Sequence, residues 1–76
     1  MLILVVVRTV DPHRQAEAMR AALGITLRGA RVEVAVGELL TPLAQRSAAT
    51  LVSFGHAVGV DPVEALRRAD RVEVWT

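Results

Sequence analysis

Six consecutive apolar residues, Leu2 to Val7, constrain this 76-residue chain more than any other feature. Side chains alternate between the two faces of a strand, so a strand that is apolar at every position needs cover on both. Two other segments behave differently. The tetrapeptide Arg-Val-Glu-Val occurs at Arg31 to Val34 and again at Arg71 to Val74, and its alternation is that of a strand with one wet face. Leu2 to Val7 is therefore expected at the centre of a sheet, with Arg31 to Val36 and Arg71 to Trp75 as its two edges.

Three cap signals divide the rest of the chain. Asp11-Pro12, Thr41-Pro42 and Asp61-Pro62 each offer a side-chain acceptor at the N-cap and a proline at the first helical position, where its fixed φ is helical and no N–H is lost. A first helix is expected from Pro12 to about Arg28, stopped by Gly29 at a position that favours positive φ. Its apolar residues, from Ala16 through Met19 and Leu23 to Leu27, leave only Glu17, Arg20, Gly24 and Arg28 as a narrow wet stripe. Such a helix needs cover from the sheet and from a second body. From Pro42, Leu43, Ala44, Ser47, Ala48, Leu51, Val52 and Phe54 fall at helical spacing, which predicts a helix ending near Gly55. The competing reading takes Thr50 to Phe54, rich in β-formers, as a short extra strand. His56 to Val60 reads as a loop, and a third helix is expected over Pro62 to Ala69.

The element order β-α-β-α-α-β describes one α/β domain spanning residues 1–76. Right-handed crossovers then favour a small three-layer sandwich with a flavodoxin-like layering. Its mainly parallel sheet has three strands in the order 2-1-3 and helices on both faces. In this arrangement the first helix covers one face alone and the other two share the opposite face. A single helix over three strands leaves apolar sheet beside it, so Ala18, Ala22 and Ile25 are expected to meet a second copy of the chain.

Composition points to the same partner. A domain this small buries only about 60% of its unfolded surface, so its own core is marginal. There is no cysteine for a disulfide, and there are only two histidines, His13 and His56. A hydrophobic content of 53% and a mean hydropathy of +0.41 exceed what one small globule hides. Homo-oligomerisation, to a dimer or higher, is the remaining device. The formal charge of +1 gives no electrostatic case for nucleic acid. Every basic residue is arginine, which suits bidentate anion contacts and equally follows from a GC-rich genome. The longest apolar run falls far short of the ~20 residues of a membrane helix. With no secretory leader pattern either, the expected compartment is the cytoplasm and no membrane partner is expected.

Candidate site residues lie where an open parallel sheet binds ligands, beyond the carboxyl ends of the strands and at the switch point where successive connections diverge, here the crevice between the first and third expected strands. That rim carries Arg8, Thr9, Asp11 and His13 after the first strand and Glu38 and Thr41 after the second, and two helix N-termini point towards it. Arg8, Thr9, Asp11, His13 and Glu38, with His56, compose a candidate site for a small anion. The bland reading leaves Asp11 and Thr41 as caps and Arg8 as a solvated loop residue, because the loop lacks the glycine-rich pattern that wraps a phosphate. His13 and His56 have no ligand-spaced partners, so neither a metal site nor an acid–base pair is assigned. No catalytic residue and no cofactor are assigned, and Ser47 and Ser53 sit inside a helix pattern without the strained turn of a nucleophile. Trp75, on the same face as Arg71 and Glu73, suits an interface anchor or an ordinary packing role beneath a loop. An antiparallel pairing of two copies centred on Val72 would set Arg71 against Glu73; edge charges also serve to deter such pairing.

The order of an apolar strand, an Ala-rich Pro-started helix (Ala16 to Leu27), Gly29-Ala30-Arg31-Val32-Glu33-Val34 and a terminal Ala69-Asp70-Arg71-Val72 resembles the DsrE/DsrF-like family at both ends of the chain. The resemblance implies a small cytoplasmic α/β oligomer. Sulfur relay, which several members perform on a loop cysteine, has no residue here to carry it. The expected function is accordingly a non-catalytic, homo-oligomeric binding or accessory protein. The alternative is an enzyme or binder of a small anionic substrate using the rim.

Overall fold

The computed structural model describes all residues 1–76. Its elements are β1 (Leu2–Val7), α1 (Pro12–Thr26), β2 (Arg31–Val36), α2 (Pro42–Ser53), β3 (Ala57–Val58), α3 (Pro62–Leu66) and β4 (Arg71–Trp75). All three cap signals work as the chemistry dictates. The side chains of Asp11, Thr41 and Asp61 accept from the N–H groups of His13, Ala44 and Val63 at 3.0, 3.1 and 2.9 Å, each with proline opening the helix.

Two helices end earlier than expected. In α1 the Thr26 hydroxyl donates to the Leu23 carbonyl at 2.6 Å, and Leu27, Arg28 and Gly29 donate three residues back to Gly24, Ile25 and Thr26. These bonds tighten the chain into a turn before Gly29, which takes a φ of 84°. In α3 the same three-residue pattern at Arg67 and Arg68 closes the helix at Leu66 instead of Ala69. α2 runs as a helix through Thr50 to Ser53, so that segment is not a strand.

The sheet is parallel throughout, in the order β3-β2-β1-β4. It has four strands where three were expected. The expected order around β1 is present, but Ala57–Val58, read as loop, pairs with Glu33 and Val34 beyond β2. The missed strand also corrects the layers. The chain steps outward from β1 through β2 to β3, so right-handed connections keep α1 and α2 on one face. It then returns across the sheet to β4, which carries α3 to the opposite face. α1 and α2 pack on Ile3, Val5, Val7, Val32 and Val34, whereas α3 sits alone over Leu4 and Ala35 through Ala65. The second body that covers α1 is therefore α2 of the same chain.

Register separates the two copies of Arg-Val-Glu-Val. Leu2 lies opposite Arg31, but Ile3 lies opposite Arg71, and a one-residue offset exchanges the faces of every side chain. Val32 and Val34 thus point into the main core, while Val72 and Val74 share the α3 face with Leu4 and Val6. The face of β2 read as wet is covered instead: Glu33 and Ala35 are both only 5% exposed. No helix is long and apolar enough to cross a membrane.

Candidate functional site

At the carboxyl ends of the strands, the divergence point lies between β1 and β4, and the chain's own backbone closes it. The carbonyl of Trp75 accepts from the N–H groups of Arg8 and Thr9 at 2.8 and 3.2 Å. Arg14 lies over the Trp75 ring, 5.0 Å from its centroid, and its Nε donates to the Thr76 carbonyl at 2.9 Å. The rim residues are similarly engaged among themselves. The Thr9 hydroxyl accepts from the Asp11 N–H at 3.1 Å, Asp11 caps α1, and His13 Nε2 turns away to Glu17, 3.2 Å distant.

Two depressions of ≈ 310 Å³ remain at this rim; one is lined mostly by apolar residues with Arg8 and Gly37, and the other brings together Arg8, Thr9, Gln15 and Glu38. Asp11 and His13 stay outside both. His56 lies at the other end of the sheet, just before β3, where its Nδ1 accepts the Val32 N–H at 3.1 Å. It is a strand-edge acceptor that does not converge with Arg8 or His13. No three histidine or acidic side chains come together within metal-ligating range.

Gln15 is the rim residue that sequence reasoning missed. Its side chain is buried, donates from Nε2 to the Glu38 carbonyl at 2.8 Å and accepts the Leu40 N–H on Oε1 at 2.9 Å. One amide thus satisfies a donor and an acceptor of the β2–α2 loop, as a buried polar side chain must. Its signal was a lone amide beside Ala16, Ala18 and Met19.

Glu33 is another buried polar side chain, on the face that α3 covers. Its Oε2 accepts from Arg68 Nη1 at 2.8 Å, and Arg68 also lies 3.6 Å from Glu64. The other oxygen, Oε1, is buried with no protein partner. The Arg68 hydrogen bond, aided by the charges of Arg68 and Arg31 and opposed by burial, holds the Glu33 carboxyl below its ordinary value of 4.5. Folding therefore favours the ionised form. The stabilisation is complete above the unfolded value and is lost as pH falls through the lower folded one. Thermal unfolding of the wild type between pH 3 and pH 7 should show this acid-side loss, and Glu33→Gln should flatten it. At neutral pH the variant should be less stable by about 1 to 2 kcal/mol, a figure reduced because Arg68 is half-exposed.

The residues expected to meet a second copy divide sharply. Ala18 and Ala22 are fully buried between α1 and the main core, so they have no surface to offer; α2 and the sheet already occupy them. Ile25 is half-buried beside Arg28, Arg71 and Glu73, with which it lines a depression of ≈ 330 Å³. Trp75 packs against the core under Arg14, while Arg71 and Glu73 are exposed along the β4 edge.

The uncovered apolar surface is on the opposite face. Because α3 spans only five residues, it shelters β1 and β2 but not β4. Val72 and Val74 remain 40% and 56% exposed, and Leu66 of α3 is 51% exposed. With Val6, Pro62 and Arg8 they line an open groove of ≈ 340 Å³. A scan against protein-family models gave no match to this chain, and comparison with curated proteins and with solved structures gave none either.

Proposed function

We propose that this chain is a non-catalytic, self-associating α/β protein of the cytoplasm that works as a binding or accessory subunit. The observation that carries this reading is the apolar groove of Val6, Leu66, Val72 and Val74, left open where α3 stops short of β4. An open apolar groove of this kind offers a contact surface, and a domain of this size gains needed stability by covering it. Kinship with DsrE-like proteins is part of the reading, carried by the Ala-rich α1 and the Ala69-Asp70-Arg71-Val72 stretch. The rim gives less support to the anionic-substrate alternative, since the first donors after β1 are already given to Trp75 and His56 stands at the far end. Light scattering across a concentration series tests the proposal. The expected result is a mass rising from monomer to a defined oligomer; a monodisperse monomer at every concentration would contradict it.

A further inference from the structure

Resting on that self-associating reading, we infer that the occupant of the β4 edge is the β4 edge of a second copy, paired antiparallel about a two-fold axis at Val72. The two ends of the sheet offer very different templates. One is β3, only two residues long, and the other is β4, five residues that pair on one side with β1 alone. β4 has no proline or lysine, two of the devices that normally blunt an exposed edge. The Trp75 carbonyl faces β1, where it accepts from Arg8. Alternation along the strand therefore turns the N–H and C=O groups of Val72 and Val74 to the open side.

Pairing outward groups with outward groups permits an axis at Val72, at Glu73 or at Val74. An axis at Glu73 sets that carboxylate against its own copy. One at Val74 places Glu73 opposite Trp75 and leaves Arg71 without an opposing residue in the strand. Only the axis at Val72 places Arg71 opposite the second copy's Glu73, and it does so twice by symmetry. Neither Arg71 nor Glu73 has an ion-pair partner within its own chain, so each charge is free for the pairing, and opposite charges directly across a ladder stabilise it. The axis stands perpendicular to the sheet, so each face continues into the same face of the other copy. Val72 then packs beside its counterpart, and the two open valine grooves join into one. The product is an eight-stranded sheet.

The test is a set of charge reversals followed by sedimentation equilibrium, with far-UV circular dichroism to establish that each variant is folded. Arg71→Glu and Glu73→Arg should each raise the dimer dissociation constant by about tenfold, because two attractive pairs become repulsive. The combined variant should return to the wild-type value. Val72→Pro, which removes an N–H that β1 does not use, should abolish the dimer while leaving the monomer folded. A dimer indifferent to the single reversals, or one that the combined variant fails to restore, overturns the β4 pairing and leaves self-association standing. A wild-type chain that never dimerises overturns both.

Discussion

Leu4→Ala is expected to cost about 2 to 5 kcal/mol, the range for truncating a fully buried leucine. Domains of this length have a total stability of roughly 4 to 11 kcal/mol, so the variant should lose a large share of it and melt roughly 10 to 30 °C lower. Leu4 has no exposed surface. It stands in the central strand between Glu33 and Val72 in register, beneath the only helix on that face, in the small cluster with Ala35 and Ala65. Its cluster partners Ala35 and Ala65 are too small to refill the space, and Glu33 is held by Arg68. Urea denaturation with an unchanged slope would measure the loss. A cost below about 1 kcal/mol would mean that α3 is not a packed layer.

Leu51→Ala should be similarly severe, about 2 to 5 kcal/mol, for a different reason. Leu51 is the largest fully buried side chain of α2 and joins that helix to the main cluster. Its carbonyl also accepts the His56 N–H at 3.0 Å, in the turn that delivers Ala57 and Val58 to β2. Its loss should therefore loosen α2 and β3 together, visible as faster amide exchange at Gly59 and Val60, which donate to the Val34 carbonyl. Leu4 and Leu51 belong to separate clusters on opposite faces of the sheet. Their costs should add in the double variant, which would then have little or no stability left.

Several features were legible in the sequence because each depends on local chemistry. The unbroken Leu2 to Val7 run placed β1 inside the sheet, and three acceptor–proline pairs located the helix starts. β3 was not legible: Ala57 and Val58 lie between glycines, and two residues carry no periodicity. Missing them reversed the assignment of α2 to a face, and with it the prediction that Ala18 and Ala22 meet another chain. The phase of the repeated tetrapeptide was equally hidden, since alternation shows that a strand has two kinds of face and not which one points to a given helix. Among the rim residues, Arg8, Thr9 and Glu38 come together because they follow adjacent parallel strands. The place of His56 is hidden in the sequence because a segment of loop composition leads into a strand from the opposite end of the sheet. Gln15 carries no sequence signal of its partners, because they are backbone groups of a distant loop.

The pairing of β1 with β4 also governs how this chain reaches its fold. β1 meets β2 across one helix, but the bond from the Leu2 N–H to the Asp70 carboxylate spans 68 residues. Long-range closure is slow, because its entropy is lost before the contacts form. The α1–β2–α2 region is thus expected to assemble first around a β1 paired on one side only. Until β4 arrives, the most apolar strand in the protein is a bare edge, and a strand in that condition recruits others. The feature that makes β1 a stable centre in the finished sheet makes it the chief aggregation hazard on the way there.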